Sequence, residues 1–192
     1  FQNHFITYHN GGHHRDVATP NDLTTAKKGD VFYFFAIKSQ IGGYFKSWRL
    51  EAEKIKSKGG NQLYNPMIIH TIIPWSFLGF IYLFFSMEVT LLYFLAAIFG
   101  ISILEAQNYF SHYGLERKQK EDGTYERVKV EHSWNSDHVI GRVFLFELTR
   151  HSDHHFSGAK HYQILRSKDE SPMLPYGYPA MLILSYFPFL FK

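Results

Sequence analysis

The sequence predicts an all-α membrane protein, in which a transmembrane helical hairpin joins cytoplasmic histidine-bearing helices and one short β-hairpin. Three observations predict it. Two long apolar runs, 67–85 and 89–104, lie almost back to back. Twelve histidines are present, and several gather in two dense clusters outside those runs. Cysteine is absent, so disulfides and thiolate ligands are excluded and any metal is held by nitrogen and oxygen.

The apolar runs set the frame. Between 67 and 85 the polar side chains are His70, Thr71 and Ser76, and between 89 and 104 they are Thr90 and Ser102. About 20 such residues, rising 1.5 Å each, cross a hydrocarbon core of roughly 30 Å. The second run reaches that length once Ala106 and Gln107 are counted. Ser86, Met87 and Glu88 leave room only for a tight antiparallel turn. Basic residues flank the pair, Lys27 to Lys58 before it and Arg117 to Lys129 after it, so the positive-inside bias puts both flanks in the cytoplasm. The expected organisation is a cytoplasmic histidine stretch and interfacial helix (1–66), the membrane hairpin (67–107), and a second histidine region ending in an apolar tail (108–192). A net charge of +3 is too modest to indicate nucleic-acid binding. It fits a lipid-facing surface and a docking face, or a plain solvated face. The chain opens at Phe1, directly in a histidine-bearing stretch, and reads as a piece of a longer protein.

Along the chain, 1–14 reads as a helix ended or bent by Gly11 and Gly12. Thr19-Pro20-Asn21-Asp22 reads as a turn leading to a helix N-cap. The stretch 31–58, aromatic then charged, fits an interfacial helix stopped at Gly59-Gly60. Glu121-Asp122-Gly123-Thr124 is a turn signal for the β-hairpin. An amphipathic helix is expected over 137–150. The tail 176–191, broken by Pro179 and Pro188, is re-entrant or interfacial.

His9, His13 and His14 form HxxxHH; His151, His154 and His155 form HxxHH. Residues three and four apart share a helix face, so each group aims two rings at one point with a third beside them. Imidazole suits Zn, Cu, Ni and Fe. No HExxH occurs, which weakens a zinc hydrolase, and so many histidines exceed the needs of one four-coordinate ion, which suggests two. His70 and His161 read as ordinary packed or surface residues.

These motifs carry a resemblance. His9-Asn10-Gly11-Gly12-His13-His14, followed by Arg15-Asp16-Val17-Ala18-Thr19-Pro20, resembles the second histidine box of bacterial alkane 1-monooxygenases. Asn108-Tyr109-Phe110-Ser111-His112-Tyr113-Gly114-Leu115 resembles their NYxEHYGL box, and His132-Ser133-Trp134-Asn135-Ser136 their HSWNS element. Leu148 through Arg166 is similar to their LQRHSDHH box.

The resemblance implies terminal hydroxylation of alkanes to primary alcohols with O₂ at two non-haem irons. Electrons would come from rubredoxin and its reductase, and the site would face the cytoplasm of a bacterial inner (plasma) membrane. It implies iron ligation by His9, His13, His14, His112, His151, His154 and His155. The family's first box, HELxHK, is expected upstream. Two family glutamates are replaced, by Tyr8 and Ser111. Glu105, two helical turns before His112, is a catalytic candidate that hydrogen-bonds a ligand or reaches iron, with snorkelling as the plainer alternative. Asp153 holds a neighbouring ring or lies on the surface. Trp75, Phe77, Phe80, Tyr93 and Phe94 line an alkane tunnel or face lipid. Arg142, Arg150, Lys160 and Arg166 are the docking candidates for rubredoxin. Competing readings are a membrane fatty-acyl desaturase or hydroxylase and a catalytically incomplete metal-binding fragment.

Overall fold

The computed structural model describes residues 1–191. Eight α-helices appear among them: α1 (His4–Tyr8), α2 (His14–Asp16), α3 (Phe32–Ser57), α4 (Pro66–Phe84), α5 (Met87–Ser111), α6 (Val139–Phe144), α7 (His151–Phe156) and α8 (Tyr178–Ser185). The protein is a membrane protein with two helices, α4 and α5, long and apolar enough to span a bilayer. At 25 residues α5 needs no extension to cross.

Local chemistry explains the boundaries. Gly59 adopts φ +66° and donates to the Lys56 carbonyl, while Gly60 donates to that of Ile55. These paired bonds satisfy the last carbonyls of α3, a closure that glycine allows without strain. Asn65 caps α4 by accepting from the Met67 amide at 2.9 Å, with Pro66 at the first helical position. Only Phe85 and Ser86 separate α4 from α5, and Ser86 caps α5.

One apolar core ties the long helices together at the end of α5. Phe32 and Phe35 of α3 pack on Tyr109, and Phe110 meets Tyr178 of α8 edge to face at 4.9 Å. Elsewhere the spans expose their side chains; Leu92 is 67% and Leu83 77% exposed. Trp75, Phe77, Phe80 and Tyr93 share this outward surface, while Phe94 packs on Phe1.

Several local expectations are corrected. The glycines at 11 and 12 do not end the first helix: His9–His13 forms a single π-helical turn and α2 continues from it. No helix follows Asp22, which is buried. The β-hairpin shrinks to one antiparallel bridge, Gln119 to Tyr125, because its charged residues have no sheet or helix to pack against. The helix expected over 137–150 spans only Val139–Phe144. Phe146 and Glu147 then adopt φ +51° and +62°, held by a two-pronged bond from Arg142 to Glu147.

Because Phe110 is fully buried between α5 and α8, Phe110→Ala should lower stability by about 3–5 kcal/mol. Denaturant unfolding in detergent measures it, and a loss below about 1 kcal/mol would show that the aromatic clamp does not hold the fold.

Candidate metal centre

Three segments deliver the histidines: the π-turn and its flanks, the C-terminal end of α5, and α7. The π-turn decides which ring goes where. The His14 amide donates to the His9 carbonyl, an i→i+5 bond, so the two residues come onto one face. The expected pairing of His9 with His13 is therefore replaced by His9 with His14, whose ring centroids are 4.5 Å apart. His13 turns the other way. Gly12 is needed here, since a Cβ would stand 2.8 Å from the Tyr8 ring.

The rings form two groups. His13, His112, His151 and His155 are buried, and one ring nitrogen from each lies within 4.8 Å of all the others; His9, His14 and His154 form a half-buried trio on the same criterion. The groups adjoin, with His14 stacked on His155 at a centroid distance of 4.5 Å. The seven histidines singled out by the motifs are thus brought together, four and three.

The donors fit metal ions. His151 Nε2 lies 3.1 Å from both His112 Nε2 and His155 Nε2. Nitrogens bound at about 2.0–2.1 Å to one ion stand roughly 3.0–3.4 Å apart, so the spacing is that of shared ligands. His154 Nε2 is buried with no hydrogen-bond partner. Such an orphan is costly unless a cation meets it.

Protonation agrees. Burial foremost, then neighbouring imidazoles, lowers the pKa of His9 to about 2 and of His14 to about 3. Burial likewise lowers His112 to about 3 and His154 to about 4. His151 and His155 lie well below the ordinary value for the same reasons. Neutral imidazole is the form that ligates.

Behind the rings, acceptors choose the coordinating nitrogen. His13 Nδ1 lies 2.8 Å from Asp22 Oδ2 and 2.7 Å from Thr24 Oγ1. The buried Asp22 carboxylate also accepts from the Tyr8 hydroxyl at 2.7 Å and from Thr25 at 2.6 Å. Burial alone would raise the Asp22 pKa, but His13 and these donors hold it far below the usual carboxylate range. Carboxylate, ring and metal site thus lie in series. Tyr8 enters through Asp22. His112 Nδ1 donates to the His132 carbonyl at 3.2 Å, so His132 contributes its backbone. Ser111 is buried with its hydroxyl unpartnered.

Sequence reasoning missed Asp22, read there as a cap. The available signal was a carboxylate nine residues after His13 in a stretch of three threonines. Glu105 is buried beside Ser39, Asn108 and Gln2 with Oε2 unpartnered, and it belongs to neither ligand group. Asp153 neither holds a ring nor lies exposed: it is buried, paired with Lys160, and accepts the Arg166 amide at 2.8 Å. It pins the loop after α7.

Asp22→Asn keeps the shape and removes the charge behind His13, so affinity for Fe(II) should fall about 10–100-fold in a chelator competition titration. Unchanged affinity would show that Asp22 does not act through the ring. A second expectation concerns acid. The folded protein keeps these rings neutral while the unfolded chain protonates below about 6.5, so the metal-free protein loses stability as pH falls through 6.5 toward 4. Thermal unfolding across that range checks it; a flat midpoint would contradict the burial of neutral rings.

Comparison with known proteins agrees with this centre. The chain is 39% identical to the alkane 1-monooxygenase of Ectopseudomonas oleovorans, over 98% of this chain and 48% of that protein. It is 39% identical to alkane 1-monooxygenase 2 of Pseudomonas aeruginosa, over 98% and 50% respectively. Similarity extends to the xylene/toluene monooxygenase hydroxylase component XylM of Pseudomonas putida, at 28% identity over 91% of this chain and 47% of that protein. The chain spans about half the length of the curated relatives it matches. Residues 2–184 match the family described as fatty acid desaturase. With its helical fold and clustered histidines, the chain belongs to the fatty acid desaturase family.

Proposed function

We infer that this chain carries most of the metal centre of an enzyme that hydroxylates the terminal methyl of alkanes to primary alcohols with O₂. One observation carries the reading: seven imidazoles converge in two adjoining groups, on a chain whose relatives are named alkane 1-monooxygenases. Nitrogen-only ligation in groups of four and three suits two non-haem irons. Bound iron supplies O₂ activation and attack on an inert C–H bond.

The chain's own residues do the rest. Asp22 and the His132 carbonyl fix ring orientation, and burial keeps His112 neutral. Glu105 is the proposed catalytic carboxylate, exchanging a proton at its unpartnered Oε2 inside the polar pocket of Ser39, Asn108 and Gln2. The exposed apolar sides of α4 and α5 keep this end of the protein in the phase where alkanes dissolve. Basic flanks on both sides of the hairpin support a centre facing the cytoplasm of a bacterial inner membrane.

Rubredoxin is the proposed electron donor. Of the four expected docking cations, Arg142 is engaged by Glu147, Arg150 by Glu147 and Asp137, and Lys160 by Asp153. A better landing place is a cavity of about 630 Å³ walled by Lys27, Lys38, Arg117, Lys118 and Asp22, one residue removed from His13. Carboxylates of an acidic carrier fit this wall.

Acyl desaturation or hydroxylation is the second reading, favoured by the family match. Product analysis separates them. The full-length protein, loaded with iron in vesicles and reduced through rubredoxin, should bind two irons, convert a medium-chain alkane to the primary alcohol, and lose both properties in His155→Ala. Turnover of an acyl thioester with no alcohol from the alkane would overturn the assignment. The 192-residue chain alone is expected to hold less iron and not to turn over.

A further inference from the structure

The end of the chain is not a simple tail. α8 runs antiparallel to the last turns of α5: Tyr178 packs on Phe110, and Tyr186 hydrogen-bonds through its hydroxyl to Ser102 at 2.8 Å. Eight residues separate the contacts on each helix, about 12 Å at 1.5 Å per residue. Phe191 then returns to pack on Tyr109 and Tyr113 at 5.0 and 4.9 Å. The segment descends beside the apolar part of α5, turns at 187–190, and comes back.

We propose that α8 with its returning turn, together with α6, forms a re-entrant platform seated among the acyl chains of the leaflet that holds the metal-centre end of α5. The proposal rests on α4 and α5 crossing the bilayer. No charged residue occurs in 174–191, an improbable composition for a wetted surface. Ile183 of α8, Leu190 of the turn, and Val143 and Phe144 of α6 are all more than half exposed. Between α5, α6 and α8 lies a cavity of about 360 Å³ lined by Ile103, Phe110, Ile140, Phe144 and Leu182, continuous with the outward face of the span.

Several polar groups of the tip are met internally, as a non-aqueous setting favours. The Tyr186 carbonyl accepts from the Tyr33 hydroxyl at 2.9 Å, and Ser185 donates to Met181. The turn closes through amides of Leu190 and Phe191 on the Phe187 carbonyl. Aromatic residues of α3, Tyr33 and Phe34, extend the same apolar belt. Lipid acyl chains match a charge-free surface continuous with a transmembrane helix. Arg142 of α6 is ion-paired with Glu147 just beyond the helix.

The absence of cysteine makes the test direct. Single variants Val143→Cys, Ile183→Cys and Leu190→Cys carry a nitroxide, with Leu92→Cys as a reference within the span and Glu121→Cys as a reference in water. In phosphatidylcholine and phosphatidylglycerol vesicles, collision rates with O₂ and with a polar nickel chelate are read by electron paramagnetic resonance. The expected ratio of O₂ to nickel collisions at Ile183 and Val143 is on the order of tenfold above that at Glu121, since apolar and polar quenchers partition oppositely into the bilayer. A ratio equal to that at Glu121, with Leu92 still in lipid, overturns the platform alone. Protection from both reagents means that protein covers the face, a second copy or another segment, and also overturns it. If Leu92 itself reports water, the spanning helices and the platform fall together.

Discussion

Everything in this molecule depends on crowding seven imidazoles into a space where their ring nitrogens converge. Protonation would relieve the mutual opposition of these dipoles, yet burial makes the charged form costlier still. What remains is an arrangement whose electrostatics are satisfied by cations. The rest of the fold holds the rings against that opposition: a helix end from the membrane, a short helix pinned by Asp153 and Lys160, and a π-turn braced by Tyr8 and Asp22.

The bracing is anchored to apolar packing. His112 leaves α5 two residues after Phe110, and the Phe110 ring is clamped by Tyr178, so the position of a ligand is set by an aromatic contact outside the centre. The neighbouring Tyr109 fastens the same helix end to α3 and, through its hydroxyl, to the carbonyl of Asp30 at 2.6 Å. Membrane packing and metal geometry are consequently one mechanical system. A disturbance of the α5–α8 contact is transmitted to the buried quartet within a single helical turn.

Much of this was legible beforehand because it rests on composition and period. The two spans, the clustered histidines and the long α3 follow from runs of like side chains, which local chemistry dictates. The division of rings between the groups was not legible: a regular helix pairs His9 with His13, and only an i→i+5 bond moves His14 into that place. Asp22 escaped notice because its partner lies across a loop whose path no periodicity describes. The helix expected at 137–150 failed because Arg142 and Glu147 close a tight turn through the side chains that would otherwise have decorated its polar face.

The π-turn gives this short motif the character of a vernier. By accommodating one extra residue in a single turn, it lets adjacent residues His13 and His14 join different histidine groups while both remain on one continuous helical rod. Spacing within 9–14 therefore encodes the partition of ligands as well as their number. Deleting one glycine would leave every histidine in the chain and still deal the rings to the wrong group.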